Sequence, residues 1–148
     1  EQLRYGAIVL EDAPGRGGLI TFDTGVLVAL EQRDKPMWDR FRRLRERGVP
    51  ILVPASCESE WWRKSVGHAA VRLAILSSIV PLTDDIARAA GEALGALERS
   101  RRGTARLTID AQVMATAALR GGGAVLTSDP DDLALFARHF RQITIEPL

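Results

Sequence analysis

The sequence predicts an α/β fold built on a mostly parallel sheet of four or five strands with helices on both faces. Short apolar runs at residues 19–22, 49–54, 79–82, 124–127 and 143–145 alternate with longer segments of helical periodicity, the pattern of repeated strand–helix–strand units. The runs are apolar almost throughout instead of alternating with polar residues, as strands covered on both faces must be. At 148 residues the chain is the size of one domain that buries ~70% of its unfolded surface without a staple.

Composition narrows the class. The single Cys57 leaves no internal disulfide framework and no cysteine-based zinc site, and no apolar run reaches the ~18 residues that span a membrane. A cytoplasmic protein without a membrane or secretory segment is expected. Net charge is only +1, but its distribution is uneven: between Arg33 and Arg47 seven basic residues face three acids, and Arg99, Arg101, Arg102 and Arg106 form a second cluster. Arginine outnumbers lysine eighteen to two, which suits bidentate phosphate contacts and equally reflects base composition.

Residues 1–18 read as a segment appended to a domain at 19–148, with a short strand over 5–10 and linker composition over 11–18. The first domain strand carries Leu19, Ile20 and Phe22 and ends on Asp23, with Thr24 as cap of a helix buried through Leu27, Val28 and Leu30. After Pro36, Met37, Phe41 and Leu44 mark the apolar stripe of a basic helix ending at Gly48, with Arg40, Arg43 and Arg47 on another face. A strand at 49–54 then leads into a helix with Ser56 as N-cap, in which Glu58 and Glu60 point to different sides. Trp61 and Trp62 are expected to serve core and interface, one of the two adjacent rings being left at a subunit contact.

Residues 68–79 predict one helix apolar enough to be covered on two sides, as in a homodimer. A short strand at 79–82 precedes a helix that opens on Asp84 and Asp85 and runs to about Ser100 along Ile86, Ala90, Ala93 and Leu97. Beyond a polar loop at 99–106, a helix with Asp110 in its first turn ends at Gly121, Gly122 and Gly123. The strand at 124–127 runs out on Ser128 and Asp129, a helix covers 133–140, and residues 143–145 form an edge strand.

Asp23 alone is most simply a helix cap. A second strand ending on an acid, Asp129, and a third acid opening a helix, Asp110, change its meaning. If the two strands are parallel neighbours they lie ~4.8 Å apart, and carboxylates crowded at their ends raise one another's pKa unless a cation sits among them. Carboxylate oxygens suit Mg²⁺ or Mn²⁺, whereas zinc would want histidine or cysteine. With only His68 and His139, no serine beside a histidine–acid pair, and a glycine run that follows a helix instead of opening one, the remaining chemistry is metal-assisted attack of water on a phosphoester.

Four motifs, Ile-Thr-Phe-Asp23-Thr-Gly, Val-Pro-Ala-Ser-Cys-Glu-Ser-Glu60-Trp-Trp-Arg, Asp110-Ala-Gln-Val-Met-Ala-Thr-Ala and Val-Leu-Thr-Ser-Asp129-Pro-Asp-Asp-Leu, resemble in order and separation those of PIN-domain ribonucleases. Within that family the chain is most similar to the VapC toxins of bacterial toxin-antitoxin pairs. The resemblance implies a three-layer α/β/α sandwich and an Mg²⁺- or Mn²⁺-dependent endoribonuclease inhibited by a cognate VapB-type antitoxin. Asp23, Glu60, Asp110 and Asp129 match the family's metal-binding and catalytic acids, Glu60 being preferred to Glu58 for its distance from Pro54. Thr24, Thr127, Ser128 and Asp132 would support them, and Arg40, Arg43, Arg47 and Arg102 would meet RNA.

The chain departs from the pattern at Gly25, where many relatives carry Ser or Asn, and in residues 1–18, which read as vector-derived, as an upstream mis-start or as a fused antitoxin-like tail. Competing readings are an inactive PIN-like module that binds RNA or protein, and a metal-dependent nuclease or phosphatase outside toxin-antitoxin systems. A phosphoacceptor domain would want a lysine after a late strand, and the chain has only Lys35 and Lys64.

Overall fold

Five strands, β1 (Ile20–Phe22), β2 (Ile51–Pro54), β3 (Ile79–Val80), β4 (Gly123–Thr127) and β5 (Ile143–Pro147), form one all-parallel sheet in the order β3-β2-β1-β4-β5. They belong to a computed structural model that describes residues 18–64 and 67–148; the strand expected at 5–10 and the linker after it lie outside those residues. The chain winds outward from β1 through β2 to β3, then returns to the other side of β1 for β4 and β5. The direction of winding therefore reverses between β1 and β4, and in such sheets a crevice opens beyond the carboxyl ends of the strands at that point.

Among the described residues seven α-helices connect the strands: α1 (Thr24–Glu31), α2 (Lys35–Glu46), α3 (Ala55–Lys64), α4 (Ala69–Ile75), α5 (Asp84–Glu98), α6 (Thr108–Leu119) and α7 (Pro130–Ala134). Helices and sheet make a three-layer α/β/α sandwich. Every residue of β1 and β2 is buried, which explains their unbroken apolar character. Phe22, Leu27, Trp61, Met114 and Leu126 are fully buried in the shared core, and Phe22 meets Phe41 of α2 at a ring-centroid distance of 5.9 Å. No helix among the described residues is long and apolar enough to cross a membrane.

Several local expectations are corrected. Of the two caps the sequence offers for α1, Asp23 rather than Thr24 takes the position: its backbone is extended and its carboxylate accepts the Thr24 N–H at 2.8 Å. Helix α3 begins at Ala55, so Ser56 lies inside it, and its hydroxyl donates to Gln112 of α6 instead of capping. The helix expected over 68–79 ends at Ile75, because the chain tightens into a 3-10 turn at Leu76–Ser78 before entering edge strand β3. The helix expected over 133–140 is instead α7 at Pro130–Ala134 followed by turns. Their i to i+3 bonds, such as Ala137 N–H to the Ala134 carbonyl at 3.1 Å, tuck Phe136 and Phe140 into the core. The loop before α6 also contains a 3-10 turn, Ala105–Leu107, anchored by fully buried Leu107.

Gly123 opens β4 with φ +91°, and a Cβ there would stand 2.2 Å from the Leu19 carbonyl oxygen. Gly123→Ala is therefore expected to lower stability by roughly 2 kcal/mol or more, from positive-φ strain and collision with backbone. Urea unfolding checks this, and an unchanged midpoint would contradict the close approach of β4 to the residue before β1.

Candidate active site

Asp23 leaves β1 beside β4: its backbone N–H donates to the Leu126 carbonyl at 3.0 Å, continuing the ladder that pairs Phe22 with Leu126. The side chain is almost fully buried, and its oxygens are occupied in a fixed pattern. One oxygen accepts the Thr24 N–H and lies 3.7 Å from the Cys57 thiol. The other accepts the Thr127 hydroxyl at 2.7 Å, and the same hydroxyl oxygen accepts the Asp129 N–H at 2.9 Å. A carboxylate offers about four acceptor positions, so these three donors leave Asp23 held in one orientation with one position open.

The expected acids meet in one cleft of about 550 Å³ lined by Asp23, Glu60, Asp110, Asp129 and Asp132, with Thr24, Gly25, Ser128, Arg106 and the C-terminal Leu148 among the other walls. Glu60 comes from α3, Asp110 from the first turn of α6 and Asp129 from the residue before α7. Glu58 faces away, paired with Arg72 at 2.8 Å on the wall of a separate groove with Trp62. Asp132 is engaged by Arg106 through both carboxylate oxygens, at 2.8 and 3.3 Å.

The electrostatics follow from crowding. Burial, reinforced by the charges of Asp23, Asp132, Glu60 and Asp129, pushes the Asp110 carboxyl up to about 7. Asp129 is also raised, by desolvation and by its hydrogen bond with Asp132, whereas the Arg106 guanidinium holds Asp132 below the usual carboxylate range. Burial, followed by the Asp23 charge, raises Cys57 well above an ordinary thiol, so this side chain packs as a neutral group beneath the site.

An all-oxygen donor set with an excess of negative charge fits a hard divalent cation in chemistry and charge. Among the described residues, however, no three acid, histidine or cysteine side chains stand close enough to hold one ion as they are arranged. The side chains at the cleft would have to turn to share one ion, and exposed Asp129 with half-buried Glu60 and Asp110 are less confined than buried Asp23.

The basic residues expected to meet RNA lie elsewhere. Arg40 is tied to Glu146 of β5 at 2.6 Å, Arg43 is exposed on α2 and Arg47 at its C-cap, Arg102 is exposed in the loop before α6, and none of the four lines the cleft. Arg106 does line it and was not singled out from its cluster; its spacing of four residues before Asp110 is the signal that marks it. The Cys57 contact with Asp23 had no sequence signal, because α3 and the end of β1 are separated by more than thirty residues.

Gly25 has a specific structural counterpart. A Cβ at that position would fall 2.0 Å from the Ser128 Oγ and 2.7 Å from its Cβ, so the serine fills the space that a side chain at 25 would take. Gly25→Ala should therefore distort the Asp23–Asp129 edge of the cleft and lower the melting temperature. Adding Ser128→Gly should restore most of that loss, and thermal melts of both variants showing no such recovery would contradict the coupling.

No curated protein matches the sequence significantly. Among solved structures the chain is similar to a chain of VapBC2 from Rickettsia felis, crystallised bound to a DNA fragment from their promoter: identity is 16%, the match covers 88% of this chain and 98% of that one, and the TM-score is 0.61. At that identity the likeness establishes the fold. The family model for the PIN domain matches residues 20–139, a span that contains all five cleft acids and the strands and helices that carry them, and the chain belongs to the PIN-domain family.

Proposed function

We propose that the chain is a metal-dependent endoribonuclease toxin of the VapC type, acting on RNA in the cytoplasm and restrained by a cognate VapB-type antitoxin. The observation that carries this reading is the set of four carboxylates, from the ends of two adjacent parallel strands and from two helices, around one open cleft. Asp23, Glu60, Asp110 and Asp129 would hold Mg²⁺ or Mn²⁺, which supplies charge neutralisation and an activated water at a phosphodiester. The protein's own part is to hold these ligands: Thr127 fixes Asp23 and the Asp129 backbone together, and Thr24, Ser128 and Asp132 complete the walls. Exposed Arg43, Arg47 and Arg102, with Arg40 where its pair to Glu146 allows, would guide the RNA backbone.

Nuclease activity is the reading that membership of the PIN family favours, and the VapBC2 likeness supports an antitoxin partner. A homodimer is supported by the exposed apolar side chains of Trp62, Leu73, Leu76 and Leu82, which a single copy leaves in water. The PIN domain is assigned to residues 19–148, with residues 1–18 outside it. A second reading, a PIN-like module that binds RNA or protein without cutting, is favoured by one observation: the cleft side chains, as arranged, bring no three ligands together.

Asp129→Asn separates the two. It removes a carboxylate from an exposed position without emptying the core, so the variant should keep the parental melting temperature. It should lose more than about a hundredfold in RNA cleavage, beyond what disturbing an outer-shell partner costs. Parental cleavage in this variant would refute the nuclease assignment.

A further inference from the structure

Five carboxylates line the cleft, and Arg106 is the single cation among the described residues that do so. An RNA phosphate approaching those acids is repelled until their charge is offset, and beyond the divalent ion of the proposed function the protein's own contribution must come from a positive side chain at the cleft wall. Arg106 stands on the 3-10 turn Ala105–Leu107, fixed from below by buried Leu107 and placed immediately before α6, which delivers Asp110. Its contact with Asp132 engages one hydrogen on each terminal nitrogen. A guanidinium has five N–H donors, so three remain, and the side chain is 59% exposed at the cleft wall. Solvent on the arginine side keeps the pair's contribution to folding modest, although the pair offsets the charge of the largely covered Asp132. It does set the planar fork in one orientation, the property that distinguishes arginine from a point charge in bidentate phosphate contacts.

We propose that Arg106 grips an RNA phosphate entering the acid cleft and that Asp132 is its positioning partner, a role distinct from that of the four acids. The inference rests on the ribonuclease reading and names the residue through which the cleft tolerates a polyanion. It also gives Asp132 a task other than metal binding, since each of its oxygens accepts from the guanidinium.

Steady-state cleavage of a short single-stranded RNA in Mg²⁺, with melting temperatures alongside, tests it. Arg106→Ala should raise KM about tenfold, the loss expected for one charge-assisted contact, with the smaller share of the effect in kcat. Arg106→Lys should recover part of the affinity, because it restores charge but not the fork. Asp132→Asn should raise KM less than Arg106→Ala, and the double variant should be no worse than Arg106→Ala alone, because Asp132 acts through the guanidinium. A parental KM in both Arg106 variants, or an Asp132 penalty that adds in full to that of Arg106→Ala, would overturn the assignment. A wild-type protein that leaves the RNA uncut would instead overturn the ribonuclease reading on which the assignment stands.

Discussion

The parallel pairing of β1 with β4, locked at its end by one hydroxyl, is the constraint on which the cleft depends. Phe22 pairs with Leu126, so the next residue of β1 and the residues beyond β4 emerge side by side at the switch point of the sheet. There the Thr127 hydroxyl donates to Asp23 and accepts from the Asp129 backbone, so a single buried side chain sets the separation of the two strand-end acids. The other two acids arrive on helices that pack against each other, α3 also against β2 and α6 against β1, β2 and β4. Shifting β4 by one residue would turn its buried set to the opposite face and carry Thr127 away from Asp23.

Crowded carboxylates are costly, and the structure offsets that cost in three ways. Asp23, the most buried, is satisfied by the Thr24 N–H and the Thr127 hydroxyl, with the Cys57 thiol against it. Asp110 keeps its proton to about 7, so near neutrality it stands partly uncharged beside its neighbours. Asp132 is neutralised by Arg106. What is left unbalanced is the negative charge of Asp23, Glu60 and Asp129 facing one volume, the charge to which a divalent cation would be drawn under the proposed function.

Much of this was legible in the sequence, because it depends on residues next to one another in the chain. An apolar run ending on an acid reads as a strand delivering a carboxylate, and the run's uniform apolarity reads as burial on both faces; both hold for β1 and β4. Five strands, all parallel, and an edge position for β5 agree with the expected alternation. What the sequence did not disclose depends on residues far apart. Of the two caps legible for α1 Asp23 prevails over Thr24, whereas Ser56 does not cap its helix because Gln112, from α6, recruits the serine hydroxyl. Helix ends at Ile75 and Ala134 fall early because the chain must turn into β3 or tuck Phe136 and Phe140 under β5, demands that local periodicity does not encode. The partner of Glu58 is Arg72, from the next helix, and the counterpart of Gly25 is Ser128, from the end of neighbouring strand β4; neither pairing leaves a trace in spacing.

The central claim, that the cleft acids form a divalent-ion site, is tested most directly by calorimetric titration of the full chain with Mn²⁺ at pH 7 in two buffers of different ionisation enthalpy. Asp110, protonated in part at that pH when the cleft is empty of metal, must give up its proton to become a ligand. The account predicts saturable binding, a buffer-dependent heat that reports proton release, and loss of both in Asp23→Asn. Absence of any binding heat at millimolar Mn²⁺, or binding that survives Asp23→Asn unchanged, would contradict it.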